Sequence, residues 1–163
     1  MGFDAFLKIA TIPGDSTDEK FKDHIEVLSY SHGLSQPNIG TVSGSGSHAA
    51  GRADIGHFSI IKRLDKATPK LALACANGEH IKDVTLIMRR SGGKEKVKFM
   101  EYKLTDVIIS SAQTSGGASE DLPTESVSFA FGKIEWIYTD TDMKGGKKGD
   151  VKAQWDCTKN KGA

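Results

Sequence analysis

The stretch from Leu64 to Arg90 narrows the fold more than any other part of this chain. Thr68 is placed as an N-cap, and Pro69 follows where a missing N–H costs nothing. Leu71 to Ala76 are mostly good helix formers, and Asn77-Gly78 supply a left-handed stop. Val84, Leu86 and Met88 then alternate with Asp83, Thr85 and Ile87, which is the spacing of a strand. The remaining periodic segments alternate in the same way. The expectation is one short helix held among strands.

Phe3 to Ile9 reads as a first strand with Phe3, Ala5, Leu7 and Ile9 on one face. Pro13-Gly14-Asp15-Ser16 is a turn. His24 to Ser35 reads as a second strand. Its bulky parity, Leu28, Tyr30 and His32, is assigned to the core, with Ile25, Val27, Ser29, Ser31 and Gly33 on the opposite face. Phe58, Ile60 and Leu64 resume a strand, and Ser91-Gly92-Gly93-Lys94 turns a hairpin. In Lys96–Ser111 the apolar parity shifts between Val97/Phe99 and Met100/Tyr102/Leu104, so a bulge is expected near Phe99–Met100. In Thr124–Tyr138 it shifts between Val127/Phe129/Phe131 and Ile134/Trp136/Tyr138, with Gly132 as the switch. Thr139 to Asp150 reads as a Gly/Lys/Asp linker before a short strand at Val151–Trp155. Roughly seven strands with local turns point to an antiparallel barrel or a two-sheet sandwich.

The 163 residues suit one domain, 1–163, with an extended loop at 36–56 and a linker and C-terminal segment at 139–163. That loop lacks periodicity, and its middle, Ser43-Gly44-Ser45-Gly46-Ser47-His48, is flexible by composition. Lys and Arg total 22 against 21 Asp and Glu, which argues against nucleic-acid binding as the main task. No run approaches the ~18 apolar residues of a membrane span, and Met1–Ile9 does not read as a signal peptide. Cys75 and Cys157 are distant and are expected as free thiols.

The residues offer little for catalysis. Gly44-Ser45-Gly46 lacks the spacing of a nucleophile elbow, and Gly44-x-Gly46-x-x-Ala49 is followed by no helix pattern. There is no Gly-Lys-Ser/Thr triplet. His24, His32, His48, His57 and His80 form no close pair, and Cys75 with His80 lacks a nearby third ligand. His32 is read as a half-buried packing residue. The expectation is no enzyme, no cofactor and no metal.

Taken in order, these segments resemble the Hcp (hemolysin-coregulated protein) family of type VI secretion systems. The resemblance is carried by Asp4-Ala5-Phe6-Leu7-Lys8-Ile9, Pro13-Gly14-Asp15-Ser16, Glu26-Val27-Leu28-Ser29-Tyr30-Ser31-His32-Gly33 and Phe58-Ser59-Ile60-Ile61-Lys62. It continues in Leu64–Pro69 with Ala74-Cys75-Ala76-Asn77-Gly78, then Tyr102–Val107 and Ile109-Ser110-Ser111. It implies a two-sheet β-barrel with one helix at its side, in a homohexameric ring. It further implies that rings stack into the inner tube of a contractile injection machine, with sheath and spike proteins as partners and effector proteins in the lumen. Such a subunit resides in the bacterial cytoplasm before firing and is then exported. A tube needs no catalytic group. It needs edges that pair with a neighbour and a loop that reaches the next ring.

Two site expectations follow. The segment Ser43, Gly44, Ser45, Gly46, Ser47, His48 touches a neighbouring ring or subunit. Ser29 and Ser31 point away from the core by alternation, and the resemblance implies that their strand lines the channel, which makes them lumen-facing. The competing reading is a small secreted β-domain that binds a carbohydrate or a host protein.

Overall fold

The computed structural model describes residues 2–37, 52–92, 95–119, 121–142 and 146–163. In chain order these form β1 (Asp4–Lys8), β2 (Ile25–Val27), β3 (Ser29–Ser31), β4 (Leu34–Ser35), β5 (Asp54–Ile55) and β6 (Phe58–Arg63). Then come α1 (Thr68–Asn77), β7 (Ile81–Gly92), β8 (Glu95–Ser115), β9 (Thr124–Thr141), β10 (Lys147–Asp156) and β11 (Lys161–Gly162). The described residues are thus mainly β with one short helix, and all strand pairs among them are antiparallel.

β8 and β9 are the spine, at 21 and 18 residues. They pair from Met100↔Tyr138 to Ser115↔Thr124. The other edge of β9 changes partner midway. Its first half pairs with β6, from Arg63↔Thr124 to Phe58↔Phe129, and its second half with β10, from Asp156↔Lys133 to Lys147↔Thr141. The core fills the fold between Phe58, Ile60, Val127 and Phe129 on one side and Leu7, Leu86, Leu104 and Ile134 on the other, all at most 1% exposed.

The phase shift in β8 is a bulge. The β7·β8 register passes from Met88↔Met100 to Arg89↔Lys98, which leaves Phe99 as the extra residue. A second irregularity leaves Ser110 unpaired between Ile109 and Ser111. In β9, Ile134 and Trp136 switch to the core as expected after Gly132, but Tyr138 is exposed and Ile137 is buried instead. The expected linker at 139–150 is largely strand, since Thr139 pairs with Asp150 and Thr141 with Lys147.

Three further expectations need correction. Phe3 is exposed, while Phe6 on the other parity is buried, stacked on Phe21 at 4.7 Å with the Arg89 guanidinium over its ring at 4.9 Å. In the second strand the core parity changes midway. Ile25 and Val27 are buried, Leu28 is exposed, and only then do Tyr30 and His32 turn inward. The cause is a change of neighbour, because β2 pairs with β1 while β3 pairs with β6, and the Leu28 N–H donates to the Ile61 carbonyl at 2.8 Å. That arrangement also overturns the barrel. A closing strand carries partners on both edges along one stretch, whereas residues 25–31 carry one partner at a time, so the sheet wraps over the core without closing.

α1 ends where expected, with Gly78 at φ 65° and its N–H on the Ala74 carbonyl. It starts one residue earlier than the Thr68 cap implied. Ala67 is the N-cap, without a side-chain cap bond, and Thr68 is already helical. The Thr68 Oγ1 accepts the Asp65 N–H at 3.1 Å, and Asp65 Oδ1 accepts the Ala67 N–H at 3.0 Å.

Candidate functional site: a hydroxyl face with two open edges

Four segments lie side by side in the order β3, β6, the first half of β9 and the last part of β8. Residues directly opposite in an antiparallel pair point to the same side of a sheet. The pairings therefore set Ser29, Ile61, Ser126 and Gln113 in one row, and Ser31, Ser59, Ser128 and Ser111 in the next. The two rows lie opposite the row of Tyr30, Ile60, Val127 and Ala112, of which Ile60 and Val127 are fully buried. The Ser59 and Ser128 hydroxyls meet at 2.8 Å, and the Ser110 hydroxyl donates to the Ser128 carbonyl at 3.1 Å. These eight positions carry no charge. Arg63 stands one row further, opposite Thr124.

Ser29 and Ser31 are exposed on this face, as alternation requires. Ser59, Ser111, Gln113, Ser126 and Ser128 carry no site expectation from the sequence. Alternation with Val127 and Phe129 marks Ser126 and Ser128 as outward, but only the register joins them to Ser29 and Ser31. The segment Ser43–His48 lies outside the described residues.

The sheet segment is open on both flanks. Among the described residues, Ser29–Ser31 pair only with β6, and β8 beyond Val107 pairs only with β9. Such edges present unpaired N–H and C=O groups that pair readily with another chain.

The reverse side of the same strands is charged and closed. Lys62, fully buried, pairs with the buried Glu125 directly opposite and with Asp65 Oδ1 at 2.8 Å, and it donates to the Arg63 carbonyl at 2.9 Å. The Thr68 hydroxyl donates to Glu125 at 2.8 Å, which ties the first turn of α1 to the sheet. A second ionic cluster pins the 10–24 segment. Buried Arg89 binds both oxygens of Asp18 and donates from Nε to Asp4 at 3.3 Å. Hydrogen bonding from Arg89 holds the Asp18 carboxyl at about 2, below the ordinary 3.8.

Polar groups elsewhere have local roles. His32 stacks on Phe58 at 5.5 Å and tilts against Phe131 at 5.9 Å, and burial pushes its pKa below 6.5. Packing is therefore its role here. His80 meets Asp106 at 3.2 Å with both side chains mostly exposed, so it does not pair with Cys75. Among the described residues, no three His, Cys, Asp or Glu gather as metal ligands, and no helix is long and apolar enough to cross a membrane.

Comparison with known proteins gives the arrangement a context. The family model for the Type VI secretion system effector, Hcp, matches residues 6–138. The chain is 34% identical over 161 residues to Protein hcp1 of Pseudomonas aeruginosa, covering 98% of each. A solved type six secretion system protein superposes with a TM-score of 0.92 at 32% identity, over 99% of this chain and 100% of that one. Hcp1 from Salmonella typhimurium superposes with a TM-score of 0.78 at 30% identity, over 100% of both chains.

Proposed function

This chain belongs to the Hcp family of type VI secretion system proteins, structural components and not enzymes, and on that premise we propose that six copies close into a ring whose inner wall is the hydroxyl face. The observation that carries this reading is one sheet segment with an uncharged, solvent-facing, serine-rich face and two open edges. The two edges differ, so contact between them is head-to-tail, and a head-to-tail contact closes into a ring when its rotation allows. Ser29 and Ser31 then face the lumen beside Ser59, Ser111, Ser126 and Ser128. Short hydroxyls leave room, and they exchange hydrogen bonds between water and a passing protein at little net cost.

Rings stack into a conduit inside a contractile sheath beneath a spike, and the conduit is exported with effector proteins in its lumen. The segment Ser43–His48 makes contact between rings. Deleting it tests this assignment. The expected outcome is an intact ring by light scattering and fewer stacked rings by electron microscopy. Unchanged stacking, or loss of the fold, would remove the loop from that role.

A further inference from the structure

β3 holds one of the two open edges on which the proposed ring closes, and its last anchor is a histidine. His32 follows Ser31 and turns its ring inward, stacked on the fully buried Phe58 at 5.5 Å and tilted against Phe131 at 5.9 Å. Tyr30 stacks on Phe58 at 5.8 Å, and Tyr102 meets Phe58 at 5.1 Å. Of these rings the imidazole alone is of a kind that changes charge near neutral pH. The chain leaves the cluster through Gly33, whose carbonyl accepts the Gly56 N–H at 2.9 Å. A Cβ on Gly56 would lie 2.8 Å from that carbonyl oxygen, so the two backbones touch here. His32 thus stands where β3 leaves β6 and leads into β4.

This cage suits a neutral imidazole and not an imidazolium. His32 Nε2 is buried and has no hydrogen-bond partner among the described residues. A protonated ring carries two N–H donors, and the one at Nε2 finds no acceptor. Aromatic faces attract a cation, but a buried imidazolium loses more hydration than they return. Burial accordingly pushes the His32 pKa below 6.5, against the Gly56 backbone, which raises it.

The titratable neighbours supply no counter-charge. The Tyr30 and Tyr102 hydroxyls meet each other at 3.4 Å. Arg52 donates to the Cys157 carbonyl at 3.3 Å, and Asp54 is exposed opposite Ser35. On β9, Lys133 stands opposite Asp156, and on β8, Asp106 meets His80. None of these groups shifts His32. His57, next to Phe58, differs from His32. It is exposed, and because the Ser110 hydroxyl donates to the Ser128 carbonyl, its oxygen accepts from His57 Nδ1 at 3.0 Å. A proton on His57 leaves that bond intact.

We infer that a proton on His32 releases the ring: the imidazolium leaves its cage for water, draws residues 31–33 off Phe58 and spoils the β3 edge. The inference rests on the ring reading of the proposed function and adds a trigger to it. A group with a depressed folded pKa contributes stability above its ordinary value and loses it as pH falls through the folded one. The ring therefore holds at neutral pH and weakens below about pH 6.5. Each head-to-tail contact contains one β3 edge, so all contacts of a ring weaken together. A conduit that meets an acidic medium comes apart and frees what it holds.

The test is ring mass against pH, by light scattering, for the wild-type chain and for His32→Phe, which keeps an aromatic ring in the cage and takes no proton. The range runs from about pH 7.5 to about pH 5. Across it Asp4, held low by Lys96, and Asp18, held low by Arg89, stay ionised, so their cluster is unchanged. We expect ring dissociation of the wild type to rise about tenfold or more, reversibly, and that of His32→Phe to change less than about twofold. Hydrogen exchange of the wild type, corrected for its intrinsic pH dependence, should show residues 29–33 losing protection in acid while β9 keeps it. If His32→Phe does not assemble at neutral pH, His32→Gln, uncharged at every pH, replaces it, and the wild-type exchange stands without either. A wild-type ring unchanged at the acid end would overturn the trigger and leave the ring reading standing. So would an equal acid loss in the uncharged variant, or unaltered protection of residues 29–33. A wild-type chain that forms no ring at neutral pH would overturn both.

Discussion

β6 and β9 carry two opposite designs on their two faces. Ile61 and Ser126 lie outward, while their chain neighbours Lys62 and Glu125 lie inward. The outward rows are uncharged, with Ser29, Ser31, Ile61 and Gln113 exposed and Ser59, Ser111, Ser126 and Ser128 half-buried. The inward pair is a lysine against a glutamate, almost without solvent contact. Polarity alone would assign these faces the other way round. The inward charges are tolerable because every one has a partner: Lys62 meets two carboxylates, a carbonyl and the Thr68 hydroxyl at 3.5 Å. The outward serines need no partner, because water or a passing surface serves. The difference separates an anchor that fixes α1 to the sheet from a wall that must bind nothing tightly.

The comparison breaks most visibly at Glu125. Glu125→Ala leaves the buried Lys62 ammonium with Asp65 as its one remaining carboxylate and removes the acceptor of the Thr68 hydroxyl. Urea unfolding should show a loss of about 3 kcal/mol, the lower end for breaking a buried pair because Asp65 remains. The double change Lys62→Met/Glu125→Leu should come close to wild-type stability, since a buried pair contributes little beyond a well-packed apolar one. A double variant as weak as Glu125→Ala would show that the charges themselves hold the helix.

A smaller effect sharpens the contrast at the second ionic cluster, which stands partly in solvent. The Asp18 carboxyl titrates at about 2 in the folded chain, below its ordinary 3.8, because of Arg89. A group with a depressed folded pKa contributes stability above its unfolded value and loses it as pH falls through the folded one. Part of the stability of this protein should therefore disappear between about pH 4 and pH 2. Asp18→Asn should flatten that limb of the pH–stability curve. An identical acid limb in the variant would contradict the assignment.

The face itself should respond least in stability and most in function. Ser31→Gln should change unfolding free energy by less than about 0.5 kcal/mol, because the residue is exposed. The ring should persist, and effector retention in the lumen should fall. A ring that dissociates on this change would place Ser31 in a subunit contact, and unchanged retention would remove it from the wall.

The anchor and the wall differ in how far the sequence reveals them. Ser29 and Ser31 are legible from alternation alone. Their partners across β6, β9 and β8 are not, because cross-strand register is a tertiary quantity. Lys62 and Glu125 are 63 residues apart and look like ordinary surface charges until the register sets them opposite each other. The helix was legible at its end, where Gly78 takes a left-handed φ. It was off by one residue at its start, where Thr68 serves Asp65 and Glu125 instead of capping. Leu28 misled for a related reason: its strand changes neighbours there, and the core parity changes with them. The Lys/Gly-rich stretch after Thr139 looked like a linker, yet β9 supplies it with a ladder partner.

The claim on which the rest depends is that the open edges of β3 and β8 close a ring of six. Size-exclusion chromatography with light scattering, at high micromolar concentration, tests it most directly. The account predicts one particle of six times the chain mass, with higher multiples as rings stack. A particle of a single chain mass across that concentration range would contradict it.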